Sequence, residues 1–243
     1  MDELSVYTKT LTLRSLDVDM RRRLRPSVLF AMLEEAAIAH TEALGMGREK
    51  TLDRGLLWIV TLQRISERRL PVYDETVTLQ SWPGRTMHLF FPRYFRMLDA
   101  AGEVLLEGSA LWSLMDRDQR SVVFPSDHGI VIPGCVTGWE SALPRPAKPI
   151  PQTEECRFRV PYSYIDLNGH MNNVRYFDLA EDVLPPELHE RELRELVVDY
   201  SSEARLGEEL LLRWGSEADA WYLTGEAGKR VFRMRLEYAA AER

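Results

Sequence analysis

The stretch Ile165–Tyr176, IDLNGHMNNVRY, places an aspartate, a histidine and three asparagines within eight residues. Asp166, Asn168 and His170 mimic the first, third and fifth positions of a calcium loop. Such a loop needs Gly at its sixth position and Glu at its twelfth, where this chain has Met171 and Phe177, so the calcium reading fails. One His with one Asp is too sparse for zinc, which takes about four ligands in a structural site and about three in a catalytic one. The plainest alternative is a polar turn without chemistry, in which Asn172 or Asn173 caps a helix starting near Val174. Against that stands the chemistry the cluster suits. A helix amino terminus carries unpaired N–H groups and partial positive charge, suited to a developing oxyanion. An asparagine amide orients substrate, a histidine passes protons near neutral pH, and a carboxylate activates water. Asp166 is one candidate carboxylate; Glu203, in YSSEAR on the strand expected after the helix, is a second, its plain reading being an exposed strand glutamate.

The elements that must hold these residues come in two similar sets. In the first half LTLRSLDVDM reads as a strand, followed by a helix with Ser27 as N-cap, apolar spacing through Leu29, Leu33, Ala36, His40 and Leu44, and Gly45 as its stop. Five β-rich segments follow, from LLWIVTLQRISERRL to RSVVFP. The second half repeats the order: strand CRFRVPYSYID, helix NVRYFDLAEDVL, then four strands. Asp19 and Asp166 stand 147 residues apart, and Ser66-Glu67 and Ser202-Glu203 stand 136 apart, as in an internal duplication. The first copy makes its strand-to-helix passage with DMRRRLRPSVL, lacking Asn, Gly and His. The turn therefore does not need the cluster. Between the copies, Ile132–Pro151 holds five of the 13 prolines and reads as a linker. The expected fold class is α+β, with units at 1–132 and 152–243 joined by 133–151, each a helix packed on an antiparallel sheet.

Composition narrows the classes. A chain of 243 residues with 45% hydrophobic content supports a sizeable core. No apolar run approaches the ~20 residues of a membrane span, and the amino terminus lacks a signal-peptide pattern, so a soluble cytoplasmic protein without membrane insertion is expected. Cys135 and Cys156 form neither a disulfide framework nor a metal pair. A net charge of −7 argues against nucleic acid as a partner. The charge is uneven: residues 1–132 carry −1 and the rest −6, with arginines gathered in RRRLR and at Arg64, Arg68 and Arg69.

The fixed positions of DLNGHMNN, Asp166 to Asn173, match the D-x-N-x-H-x-N-N motif of plant and bacterial acyl-ACP thioesterases, and Tyr200 with Glu203 matches that family's Y-x-x-E. The chain resembles this family over nearly its whole length. The resemblance implies tandem hotdog domains, hydrolysis of fatty acyl-ACP to free fatty acid and holo-ACP, and Asp166, Asn168, His170 and Glu203 as catalytic residues, with no cofactor and no metal. Plant members commonly carry Cys after the Glu; here the position is Ala204, which leaves carboxylate-assisted attack by water. Either Asp166 or Glu203 suits the role of base, with Glu203 preferred, Asp166 and Asn168 positioning the thioester and His170 moving protons. The first half then supplies the acyl pocket and docking surface, where Arg21, Arg22, Arg23, Arg25, Arg64, Arg68 and Arg69 would meet an acidic carrier protein. Acyl-CoA hydrolysis and non-catalytic acyl binding are the alternatives, and monomer and homodimer are both compatible with two fused units.

Overall fold

The computed structural model describes residues 5–240. Strand β1 (Tyr7–Thr12) leads to helix α1 (Pro26–Ala43), then β2 (Leu56–Glu67), β3 (Thr76–Pro83), β4 (Phe91–Leu98), β5 (Val104–Asp116) and the short β6 (Val122–Val123). The second half runs β7 (Glu154–Arg159), α2 (Arg175–Val183), β8 (Leu193–Tyr200), β9 (Glu209–Glu217), β10 (Ala220–Ala227) and β11 (Lys229–Tyr238). The strands form one antiparallel sheet in the order β1-β3-β4-β5-β2-β8-β11-β10-β9-β7, with β6 beside β5. Outward from the middle of the sheet, each half repeats the other strand for strand. The seam is β2 against β8, paired from Leu62↔Asp199 to Ser66↔Glu195. Each half is a helix against a curved sheet, the α+β arrangement expected.

The two helices meet where Phe30 stacks on Phe177, ring centroids 3.9 Å apart and planes 22° from parallel. These residues are also 147 apart in the chain, so the contact marks the pseudo-two-fold relation between the halves. Around it lies one apolar core that includes Leu33, Phe95 and Met97 of the first half and Leu179, Leu223 and Phe232 of the second.

Several element boundaries differ from those expected, each for a local reason. The first strand stops at Thr12, because Asp17 accepts the Arg14 N–H at 2.7 Å and Asp19 those of Arg21 and Arg23 at 2.9 Å, pulling the backbone into turns. Strand β7 stops before Pro161, which has no N–H to give a ladder. Helix α1 begins with Pro26 in its first turn and Arg25, not Ser27, as N-cap, since proline holds its predecessor extended (φ −67°, ψ 137°). Gly45, at φ +71°, lies just beyond the helix as expected. Glu203 is not on a strand: β8 ends at Tyr200 and Glu203 lies in the loop beyond it.

The proline-rich segment is a strap against the sheet. Ser109 donates to the Ala142 carbonyl at 2.7 Å, Arg233 to that of Ala147 at 3.1 Å, and Arg96 stacks over Trp139 at 3.4 Å. Phe95, Met97 and Ala110 face the helices, so alternation puts Arg96 and Ser109, and hence the strap, on the opposite face. Among the described residues no helix is long and apolar enough to cross a membrane.

Candidate active site

The strand-to-helix turn is built identically in both halves from different residues. In the second half the Asp166 N–H donates to the His170 carbonyl at 3.0 Å, that of Gly169 to the Asp166 carbonyl at 3.1 Å, and Gly169 adopts φ +81°. In the first half the Asp19 N–H donates to the Arg23 carbonyl at 2.8 Å, that of Arg22 to the Asp19 carbonyl at 2.9 Å, and Arg22 takes φ +66°. The isolated bridges Val18↔Leu24 and Ile165↔Met171 close the two turns. One backbone geometry thus tolerates Arg-Arg-Arg or Asn-Gly-His. The side chains of the second turn are therefore free to serve something other than the turn. Asn172 Oδ1 accepts the Val174 N–H at 2.9 Å in an Asx turn just before α2; the N-cap is Val174, not Asn172 or Asn173 as expected from the sequence.

A cavity of about 380 Å³ lies between α1 and this second-half turn. Asp166, Asn168 and Asn172 are part of its lining. Its walls run along α1 from Ala31 to Glu42 and across Trp58, Phe91 and Trp112 of the sheet. Ala31 and Glu42, both in the lining, lie eleven residues apart on α1, so the chamber runs along ~16 Å of the helix. Asp166 Oδ1 accepts the Asn168 N–H at 2.7 Å. His170 and Glu203 do not line the chamber; they form a pair beside it, Nε2 to Oε1 3.6 Å, within ion-pair reach but longer than a hydrogen bond. Arg120, from the first half, pairs with the same Glu203 carboxylate. Of the four residues singled out from the sequence, Asp166 and Asn168 face the cavity and His170 and Glu203 back them. Ala204 is fully buried, and its carbonyl accepts the Met171 N–H at 2.7 Å, tying the Glu203 loop to the turn.

The sequence profile of the acyl-ACP thioesterase N-terminal domain matches residues 4–127, and that of the C-terminal domain matches residues 147–224. The chain belongs to the acyl-ACP thioesterase family. Among its curated relatives, palmitoyl-acyl carrier protein thioesterase of Cuphea hookeriana is 23% identical over 214 residues, covering 82% of this chain and 52% of the relative. Dodecanoyl-[acyl-carrier-protein] hydrolase of Cinnamomum camphora is 23% identical over 257 residues, covering 96% of this chain and 67% of the relative. The chain spans about half the length of most of the curated relatives it matches. The solved acyl-ACP thioesterase of Bacteroides thetaiotaomicron superposes with a TM-score of 0.81 at 21% identity, covering 96% of this chain and 98% of that one. The 12:0-ACP thioesterase of Umbellularia californica gives 0.83 at 20%, covering 97% and 98%. These likenesses carry the fold, a tandem hotdog.

In this family member the sequence reading missed Glu34. It lines the chamber with Asp166 and Asn168, and burial, then the nearby Asp166 and Glu35, push its carboxyl up to about 7. The signal was present in the repeat: Glu34 and Glu181 stand 147 apart, the offset of Asp19 and Asp166. Glu181 lies at a second cavity of only about 50 Å³, in the symmetry-related position, with Asp19 and Arg23. Arg23, the counterpart of His170, occupies that place: its guanidinium donates to the Arg191 carbonyl at 3.2 Å and to that of His189. A long cation thus fills one site of the pair, and the other stays open.

The arginines expected to dock a partner sit around this closed site or are engaged elsewhere. Arg21 pairs with Glu190, Arg64 with Glu195 at 2.5 Å, Arg69 with Glu75 at 2.7 Å, Arg22 lies over Tyr73, and Arg25 donates to the Val18 carbonyl at 3.1 Å. None of the seven lines the chamber beside Asp166 and Asn168.

Glu67, the counterpart of Glu203, is 7% exposed, and neither carboxyl oxygen has a hydrogen-bond partner among the described residues. Burial raises it to about 8, against the pull of Arg194 and Arg23. Its folded value lies above the unfolded one, so the folded state binds the extra proton, and the stability it confers is lost as pH rises through about 8. Glu34 and Glu181, each raised to about 7, act with the same sign. For a well-buried group, each tenfold gain in proton affinity on folding is worth ~1.4 kcal/mol. Tm is therefore expected to fall by ~5 °C or more between about pH 5.5 and 8.5. Glu67→Gln should flatten the profile; an unchanged slope would show that Glu67 is ionised in the fold.

Proposed function

We propose that the chain hydrolyses fatty acyl-ACP thioesters, releasing free fatty acid and holo-ACP. The observation that carries this is a largely apolar chamber walled by α1 and by Trp58, Phe91 and Trp112, with the Asp166-x-Asn168 turn in its lining. An acyl chain fits along α1, which leaves its thioester against the turn. Asp166 activates the attacking water there, Asn168 orients the carbonyl, and His170, held by Glu203, moves the proton toward solvent or the leaving sulfur. This assignment differs from the sequence preference for Glu203 as base, because Glu203 stands outside the chamber with Arg120 on its carboxylate. The first half contributes the acyl walls, and the protein acts in the cytoplasm.

An acidic carrier needs positive charge near the chamber mouth. The better placed arginines are Arg48, which lines the chamber, Arg85, next to the lining residue Gly84, Arg117, whose N–H donates to the Gly55 carbonyl at 2.8 Å, and Arg120 beside Glu203. All four are exposed. Charge reversal at Arg85 and Arg117 should lower kcat/KM for acyl-ACP by ~10-fold or more at low salt, an effect that fades as salt shortens the Debye length to ~3 Å at 1 M. Neutral acyl-pantetheine should be unaffected. If reversal at Arg21 and Arg22 has this effect and reversal at Arg85 and Arg117 has none, the carrier docks on the other face.

The activity is tested by total fatty-acid analysis of cells expressing the chain, followed by assays of the purified chain on one acyl group carried by ACP and by CoA. Release from ACP in preference to CoA is expected. Equal rates would favour the acyl-CoA reading, and no release from any thioester would leave acyl binding.

A further inference from the structure

The chamber holds a carboxyl group for which the hydrolytic reading has no role. Glu34 projects from the middle of α1, in the first half, into the chamber that Asp166 and Asn168 line from the second. It has no hydrogen-bond or ion-pair partner among the described residues. Asp166 comes from the turn facing it, Glu35 from its own helix and Tyr200 from β8, and none of these is a cation. Tyr200, its hydroxyl 3.3 Å from Gln63 Oε1, is pushed well above the ordinary phenol range by burial and remains a neutral neighbour. Arg48 and Arg93 line the same chamber, but Arg93 is spent on Thr41 at 3.0 Å and on Ser81 and His40 at 3.1 and 3.2 Å, and Arg48 pairs with Asp53 at 3.0 Å.

The symmetry-related Glu181 sets the contrast. There the nearby Arg25 offsets its burial, and Arg23 lines the small cavity beside it. A glutamate kept for packing would have met similar surroundings in both halves. Glu34 instead faces open volume and a second carboxylate.

We propose that Glu34 is a further catalytic residue of the thioesterase site, presenting a protonated carboxyl O–H to the carbonyl oxygen of the thioester held against Asp166 and Asn168. The role deepens the hydrolytic reading and rests on it. As water adds to the acyl carbon, negative charge gathers on the carbonyl oxygen, and a fixed donor in a water-poor chamber stabilises it. The proton stays on Glu34 throughout. Division of labour follows from position: Asp166, in a turn nearer solvent, takes the proton of water, while Glu34, deeper on the helix and facing Asp166, keeps its own. The active site is then assembled from both halves.

The test compares the wild-type chain, Glu34→Gln and Glu34→Ala on acyl-pantetheine from about pH 5.5 to 9, with Tm measured for each. Wild-type kcat should decline as pH rises through about 7, where Glu34 loses its donor proton. Glu34→Ala should lower kcat by ~10²-fold at acid pH with little change in KM. Glu34→Gln, whose amide still donates, should recover roughly tenfold or more of that loss, and its kcat should lack the decline. Should Glu34→Ala fail to fold, the pH profiles of wild type and Glu34→Gln decide. Glu34→Ala within about threefold of wild type, or Glu34→Gln with the wild-type decline intact, overturns the proposal. A wild-type chain that hydrolyses no thioester removes the hydrolytic reading itself, and this proposal with it.

Discussion

Asp166→Asn is expected to lower turnover by at least ~10²-fold while leaving the fold in place. The substitution separates chemistry from structure. Asparagine keeps an Oδ1 that accepts the Asn168 N–H, the 2.7 Å bond that shapes the turn, and it forms such turns as readily as aspartate. What it removes is the negative charge at the chamber wall. Loss of rate with an unchanged Tm would therefore assign the loss to water activation. Glu203→Gln should cost roughly tenfold, since it weakens the hold on His170 without touching the chamber. The reverse ranking, with Glu203→Gln dead and Asp166→Asn active, would return the base to Glu203. Full activity in both, and in Asn168→Ala and His170→Ala, would reduce the cluster to a polar turn.

The parts of this site that could be read in the sequence are those encoded locally or by repetition. The Asp166–Asn173 cluster is contiguous, and its contrast with Asp19–Arg25 identified it as more than a turn. The backbone supports that contrast, since Arg22 and Gly169 take the same left-handed conformation at equivalent positions. What the sequence did not disclose depends on register between the halves. Glu34 reads on its own as one more polar residue on an amphipathic helix; only the packing of α1 across the second-half turn puts it beside Asp166. Arg23 reads as surface charge within RRRLR, yet its guanidinium is drawn into the closed site by the carbonyls of His189 and Arg191, 166 and 168 residues away. The strap reads as a linker because its sequence follows no helical or strand period, although Ser109, Arg96 and Arg233 hold it along the sheet.

Phe177→Ala is expected to destabilise the whole chain by ~3–5 kcal/mol. Phe177 is 1% exposed and its partner Phe30 2%, so truncation leaves a cavity that close-packed neighbours cannot refill. The lost ring contact adds ~0.5–1.5 kcal/mol beyond the area buried, a coupling that a double-mutant cycle with Phe30→Ala would isolate. For a chain of this size the loss corresponds to a Tm lower by ~6–20 °C. The form of the transition is as informative as its position. The seam between β2 and β8 continues the sheet hydrogen bonds from one half into the other, and the core runs across it without a break. One cooperative transition, shifted as a whole, is therefore expected. If calorimetry instead resolves two transitions of which Phe177→Ala moves only one, the halves fold as separate units. The Phe30–Phe177 contact would then be a docking contact between domains, and the chamber between α1 and the Asp166 turn would depend on that docking for its shape.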